Sequence, residues 1–335
     1  MKNNKDNTKN NTREKVLEYF NGDELATDIF LSKYSINETE TPDDMHKRLA
    51  GEFAKIEYKY TKGEIDIYKF RNLSEFGKIR YAECLKEEDF SNKIYELFKD
   101  FKYIIPGGSV MKGLASDKPI SLSNCFVLPN PDDNIESIKN TDRNMCQLMK
   151  RRGGTGFDLS SIRPVGASVD NSANTSTGIR GWMEDYSHST ETICQEGRRG
   201  ALMMSCDVNH PDILEFIKVK RDKSKITGAN ISVRINKEFM QAVYDDKEYI
   251  LRFPVNKEIN IDIDSLPLNS LIPLNSLIYI KKVKAKEIWN ELIQSAWECA
   301  EPGVLFWDNI IDYDPTSVYN ELRPLSTNPL IHSAA

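Results

Sequence analysis

A single thiol in an apolar run is the first residue of this chain that could do chemistry. Ser121-Leu122-Ser123-Asn124-Cys125-Phe126-Val127-Leu128-Pro129 sets Cys125 in a strand-like stretch that a proline stops. A cysteine in such a place is either a small buried hydrophobe or, if reachable, a group that exchanges thiol for disulfide. Two loops rich in arginine and glycine follow it. Lys150-Arg151-Arg152-Gly153-Gly154-Thr155-Gly156 joins a helix pattern to a strand pattern. Its glycines let consecutive N–H groups turn toward one anion, and its arginines add charge and paired donors. It has neither the Gly-Lys-Ser/Thr of a Walker loop nor the Gly-x-Gly-x-x-Gly spacing. A helix C-cap, with basic residues favoured by the dipole, explains the same letters. Arg163, in Ser161-Ile162-Arg163-Pro164, moves the balance toward anion binding. In Gln195-Glu196-Gly197-Arg198-Arg199-Gly200-Ala201, glycines bracket Arg198 and Arg199. That suits a loop that orders on a ligand and equally a solvated basic turn.

The rest of the composition narrows the classes. The 335 residues are 39% hydrophobic and 29% charged, enough for one large core or two domains. A net charge of −6 leaves no global basic field for nucleic acid, so any phosphate needs a local site. Cys84, Cys125, Cys146, Cys194, Cys206 and Cys299 are scattered without a Cys-x-x-Cys, and the four histidines lack a His-Glu-x-x-His. Neither a metal site nor a disulfide framework is expected, and a reducing cytoplasm is. No run is apolar enough to span a bilayer.

These residues need elements to position them. Residues 1–13, rich in Asn and Lys, read as a disordered tail. A helical period runs over 14–101, with a helix start at Thr41-Pro42-Asp43-Asp44. From 102 onward short strand-like runs alternate with helices. The runs are Tyr103–Ile105, Ser123–Leu128, Thr155–Leu159, Ala201–Val208, Asn230–Ile235, Tyr249–Phe253 and Val304–Trp307. That alternation predicts an α/β domain with largely parallel strands. Helices are expected from Ile135, after Asn209-His210-Pro211-Asp212, after Asn236 and over Ala285–Ala300. His46 and His210 read as cap or surface residues. Residues 255–280 break the rhythm: Pro267-Leu268-Asn269-Ser270-Leu271-Ile272 is repeated unchanged as Pro273-Leu274-Asn275-Ser276-Leu277-Ile278. Two copies are too few for a solenoid, so a duplicated surface insertion without a catalytic part is expected.

Taken together and in order, these segments resemble the large, catalytic subunit of ribonucleotide reductases, from about residue 24 to Pro329. The resemblance rests on Ser121–Pro129, Arg151–Gly166, Gly197–Leu202, His210-Pro211-Asp212-Ile213, Gly228-Ala229-Asn230-Ile231-Ser232-Val233 and Ser326-Thr327-Asn328-Pro329. It implies a helical N-terminal region followed by about half of a ten-stranded α/β barrel. It also implies radical reduction of a ribonucleoside diphosphate at C2′, in which a thiyl radical takes the 3′ hydrogen and a cysteine pair supplies two electrons. Cys125 matches the first member of that pair. Asn124 matches a substrate-contacting position where the family often has Ser. Ser109, in Gly107-Gly108-Ser109, and Gly154 match positions that hold substrate, and Asn328 matches the asparagine that hydrogen-bonds the ribose. Asp133, Arg163 and the loop with Arg198 and Arg199 match the specificity site, where a deoxynucleotide effector selects the base. The family also implies a homodimer, dNTP or ATP effectors, and a radical from a dimetal small subunit or from adenosylcobalamin. No N-terminal nucleotide cone pattern is present, so overall control by ATP and dATP is not expected.

The chain departs from the family pattern at one motif. Where relatives continue Asn-Pro-Cys-x-Glu, this sequence reads Asn328-Pro329-Leu330-Ile331-His332. Leucine carries no S–H and cannot become a thiyl radical. The expectation is the N-terminal part of a reductase, inactive alone and completed by a second chain that carries the missing half. The alternatives are a deoxynucleotide-binding remnant without chemistry, or an unrelated α/β-barrel enzyme, which the alternation alone permits.

Overall fold

Parallel neighbours cannot be joined by a tight turn, so each pair needs a crossover, usually a helix. The computed structural model, which describes residues 2–61, 87–193, 200–259, 266–275 and 277–327, has this pattern after residue 124 and only helices before it. It divides into two units that meet in sequence between Asn124 and Cys125. No helix among the described residues is long and apolar enough to cross a membrane.

The first unit contains α1 (Lys2–Tyr19), α2 (Glu24–Ile29), α3 (Pro42–Thr61), α4 (Glu87–Phe98) and α5 (Gly108–Gly113). The expected start of α3 is a reciprocal cap: the Asp44 N–H donates to Thr41 Oγ1 at 3.2 Å, and Thr41 N donates to the Asp44 carboxylate at 3.1 Å. Val16, Phe30, Met45, Leu49, Ala50, Phe98 and Met111 form the core. Residues 2–13, expected as a disordered tail, instead form the opening turns of α1. Their own composition offers few anchors. Val16 is fully buried, and Arg13 pairs with Glu24 at 2.6 Å and Asp28 at 2.8 Å, so order starts later in the helix and extends back. Tyr103–Ile105, expected as a strand, is not one. Tyr103 is 67% and Ile105 72% exposed, and residues that favour strands still need a neighbour to pair with. His46, expected near the surface, is buried with its ring 4.6 Å from that of Phe101.

The second unit is built on a five-stranded parallel sheet in the order β1-β2-β3-β4-β8, the number of strands in half of a ten-stranded barrel, and the sheet is not closed. Its strands are β1 (Cys125–Val127), β2 (Gly154–Asp158), β3 (Leu202–Asp207), β4 (Ala229–Ile235) and β8 (Gly303–Phe306). The crossovers carry α6 (Ile135–Met149), α7 (Gly178–Thr192) and α8 (Ile213–Lys218). Between β4 and β8 come α9 (Lys237–Tyr244), a second sheet and α10 (Ala285–Cys299); α11 (Trp307–Tyr313) follows β8. The helices bury one face of the sheet. Phe157, Met204, Cys206, Ile231 and Val233 meet Ile138 and Met145 of α6, Met183 and Tyr186 of α7, Phe216 of α8 and Ile288 of α10 in one core.

The turn before α8 is tied back to α7. His210, expected as a surface residue, is fully buried: its Nε2 bonds Ile162 O at 2.8 Å, and Nδ1 accepts from Asp212 N at 3.0 Å. The Asp212 carboxylate accepts from Val165 N and Ile179 N. Gly178, at φ +70°, leaves room for it, since a Cβ there would lie 2.4 Å from Asp212 Oδ2.

The second sheet, antiparallel in the order β5-β7-β6, takes strands from within 255–280, whose described hexamer residues lie at the surface. Its strands are β5 (Glu248–Phe253), β6 (Leu271–Pro273) and β7 (Tyr279–Lys284). Three lysines hid β7 from the apolar pattern; one of them, Lys282, is buried and pairs with Glu248 at 3.1 Å. The two identical hexamers fold differently: the first ends in β6, and the second makes a turn closed by Leu274 N donating to Ile278 O at 2.8 Å. The core face predicts that Phe157→Ala lowers the unfolding free energy by about 3–5 kcal/mol in urea denaturation. A loss below about 1 kcal/mol would mean that Phe157 does not carry the packing assigned to it.

Candidate functional site

Side chains alternate across a strand, and parallel register carries that alternation from strand to strand. Cys125 is paired with Gly154, and Val127 with Gly156. Gly156 is paired with Met203, and Asp158 with Ser205. Ser205 then pairs with Ser232 and Asp207 with Arg234. One face of the sheet thus carries the apolar residues under the helices. The other carries Cys125, Val127, Met203, two glycines and a row of polar side chains. Cys125 is half-buried. Its neighbour Gly154 is itself buried and has no side chain to set against the thiol. Cys206 is the contrast: it lies under the helices, fully buried, and burial pushes its thiol well above the usual range.

The polar row is an ion triad. Arg234 reaches Asp158 at 3.3 Å and Asp207 at 3.1 Å, and Ser205 Oγ donates to Asp158 at 2.7 Å. The Arg234 guanidinium also lies 4.3 Å from the centre of the Trp307 ring. Burial pushes the Asp207 carboxyl up against the attraction of Arg234. For Arg234 burial works against the cation, and the two carboxylates outweigh it, so its pKa is raised. The segment before Asn328 is fastened to this row. Ser326 Oγ lies 3.1 Å from Ser205 Oγ, and Leu325 O accepts from Arg234 and from Asn130 at 3.4 Å each. Ser232 Oγ, Arg234 Nε and Thr327 Oγ1 are buried without a protein hydrogen-bond partner, and each can donate.

The sequence-derived residues fall into three places. In the first unit Ser109 is buried, and its N–H donates to Asn124 Oδ1 at 3.1 Å. In the second unit Cys125 faces Gly154 across the β1–β2 pair. Also in the second unit, Asp133 and Arg163 meet: Arg163 Nε donates to Asp133 at 2.8 Å, and Arg163 N to the same carboxylate at 3.0 Å. They line a cleft of about 450 Å³ with Asn134 and Ile135 of the α6 N-terminus, Ser176 and Trp182. Asn134 caps α6, accepting from Ser137 N at 2.8 Å, so the positive end of a 15-residue helix faces the cleft. Arg198, Arg199 and Asn328 lie outside the described residues. Sequence reasoning missed the triad. Its trace was there: an acid ending each of two apolar strands and an arginine inside a third, all in places that normally bury only paired charge.

A protein family described as ribonucleotide reductase, barrel domain, matches residues 123–328, more than half of the chain. The chain belongs to the ribonucleotide reductase family. Among curated relatives, a vitamin B12-dependent ribonucleoside-diphosphate reductase of Thermoplasma acidophilum is 31% identical, over 87% of this chain and 39% of its own length. A ribonucleoside-diphosphate reductase subunit alpha of Synechocystis is 26% identical, over 58% of this chain and 27% of its own. The ribonucleoside-diphosphate reductase large subunit of variola virus is 28% identical, over 56% of this chain and 25% of its own. The chain therefore spans less than half the length of each of these reductases.

The triad yields a prediction. Arg234→Met leaves two carboxylates buried without their cation and should cost about 3–5 kcal/mol near neutral pH. The pH dependence follows from Asp207. Its folded pKa is raised, so protonation favours the fold, and the contribution is lost as pH rises through the folded value. Without Arg234 the rise is larger, so the penalty should shrink on going from about pH 7 to about pH 5. Urea denaturation at both pH values measures it. A penalty that grows with acid contradicts the assignment.

Proposed function

We propose that this chain supplies the reductant cysteine and the effector cleft of a ribonucleoside-diphosphate reductase large subunit. The observation that supports this best is the position of Cys125, half-buried beside Gly154 on the polar face rather than under the helices. A thiol that is to reduce a substrate must be reachable and must later be re-reduced. In the proposed reaction a cysteine thiyl radical takes the 3′ hydrogen of the ribose. The 2′ hydroxyl leaves as water, and Cys125 with a second thiol gives two electrons and closes a disulfide. The 3′ hydrogen then returns, so one ribonucleotide and two thiols become one deoxyribonucleotide, water and a disulfide. Ser109 and Asn124 are assigned to substrate contacts, and Asn328 to the ribose. The unpartnered donor atoms Ser232 Oγ, Arg234 Nε and Thr327 Oγ1 suit a polar, hydroxyl-rich ligand on the sheet face.

Leu330 stands where the family has its radical cysteine and carries no S–H, so the thiyl role is not assigned to residue 330. Among the described residues no cluster of three or more His, Cys, Asp or Glu side chains could hold a metal. A dimetal radical source is assigned, by the family resemblance, to a small subunit. Adenosylcobalamin is the alternative that the name of the Thermoplasma relative favours. No residue described here is assigned to it.

The effector is assigned to the cleft of Asp133 and Arg163; the family resemblance assigns Arg198 and Arg199 to the same effector, and both lie outside the described residues. The cleft's volume lies in the range of small-molecule sites, roughly 300–1,000 Å³. Arg163 and the α6 N-terminus suit a triphosphate, Asp133 suits a sugar hydroxyl, and Trp182 offers a flat face to a base. Calorimetry with deoxynucleoside triphosphates should give micromolar binding that Arg163→Ala weakens about tenfold or more, a loss of ~1.4 kcal/mol. A folded chain that binds no dNTP contradicts the effector reading. Deoxyribonucleotide formation by residues 1–335 alone contradicts the reading that Leu330 leaves them without the thiyl residue. Binding without turnover in any mixture favours the reading as a non-catalytic deoxynucleotide-binding protein.

A further inference from the structure

The wall of the cleft formed by residues 166–176 stands on the small antiparallel sheet, with one side chain as its polar fastening. Gly166 N donates to Ser176 O at 3.0 Å and Ser176 N to Ala167 O at 2.8 Å, and Ser168 bridges Thr175, so the segment is a narrow hairpin. Its base is apolar: Ala167 is fully buried and packs with Phe253 of β5 and Tyr279 of β7. Its polar fastening is Tyr279. The hydroxyl of Tyr279 accepts from Ser168 N at 2.8 Å and lies 2.9 Å from Ser168 Oγ. Ser168 O in turn accepts from Arg163 Nη1 at 2.5 Å. Tyr279, Ser168, Arg163 and Asp133 thus form one unbroken chain of contacts, from the sheet that the duplicated hexamers extend to the cleft.

Arg163 is held from two sides. Asp133 fixes Nε, and the Ser168 carbonyl fixes Nη1. If the Ser168 carbonyl drifts, the guanidinium loses one of the two contacts that set its plane, and the hairpin that carries Val169, Asn171 and Thr175 into the cleft shifts with it. We propose that Tyr279 is a positioning residue for the nucleotide cleft: its hydroxyl holds the 166–176 hairpin and, through Ser168, the direction of Arg163. The proposal rests on the reading of the Asp133–Arg163 cleft as a nucleotide site. It gives residues 255–280 a functional link that their sequence does not suggest. The β5-β7-β6 sheet becomes a support for the cleft, and β6, at its edge, stiffens β7.

The test compares Tyr279→Phe with Tyr249→Phe in the full chain. The first substitution keeps an aromatic ring against Ala167 and Phe253 and removes only the hydroxyl. Tyr249, on β5, also loses a buried hydroxyl bond, to Asn209, without touching the hairpin. Two readouts are taken, calorimetric affinity for dTTP and the other deoxynucleoside triphosphates, and amide hydrogen exchange. Tyr279→Phe should weaken the affinity about five- to tenfold and speed exchange within 166–176, and Tyr249→Phe should leave both nearly unchanged. Wild-type affinity in Tyr279→Phe overturns the proposal while the cleft reading stands. Equal losses in both variants also overturn it, because the effect would then be general softening of the sheet. If the wild-type chain binds no dNTP, the cleft reading fails first and takes the proposal with it.

Discussion

The register of the parallel sheet is the constraint on which the rest depends. A side chain changes face with every residue, so a slip of one would move Cys125 under the helices and bring Phe126 to the polar side. The register is held from the apolar face, where Phe157, Leu202, Met204 and Cys206 of β2 and β3 pack with five helices in one core. With that face fixed, the opposite face is fixed too: Cys125 beside Gly154, and Asp158, Ser205, Asp207 and Arg234 in a row. The chemistry assigned to the chain is thus placed by packing that takes no part in it.

The polar row shows what such a face requires. Two acids and an arginine are expensive to bury, and they are tolerated because each meets a partner. Ser205, Asn130 and the carbonyl of Leu325 complete the network and draw the segment before Asn328 across the strands. Charge balance and chain path are therefore one problem here. The arrangement that neutralises Asp158 and Asp207 also fastens residues 325–327, which lead into the motif where the family keeps its radical cysteine.

Much of this was legible in the sequence. The alternation of strands and helices predicted the parallel sheet, and Asn236 and Thr41 announced helix starts that the hydrogen bonds bear out. The family was legible because several short motifs recur in one order. What stayed hidden depends on partners distant in the chain. Nothing local to Lys-rich β7 says that Lys282 is buried against Glu248. Nothing local to two identical hexamers says that one ends in a strand and the other forms a turn. His210 looked like a surface cap because its two partners are a backbone carbonyl far upstream and an N–H two residues on. The cleft was half legible: Asp133 and Arg163 were picked out by resemblance, but Trp182 reaches it only through the fold, and Tyr279 meets the hairpin beside it in the same way.

The central claim is that Cys125 is a reachable reductant thiol on the face that receives the substrate. Thiol alkylation of the folded chain, followed by peptide mass spectrometry, tests it most directly. Cys125 should be modified readily and Cys206 hardly at all, and a ribonucleoside diphosphate should slow the reaction at Cys125. Modification of Cys125 no faster than that of Cys206, or a rate indifferent to the nucleotide at saturating concentration, would contradict the account.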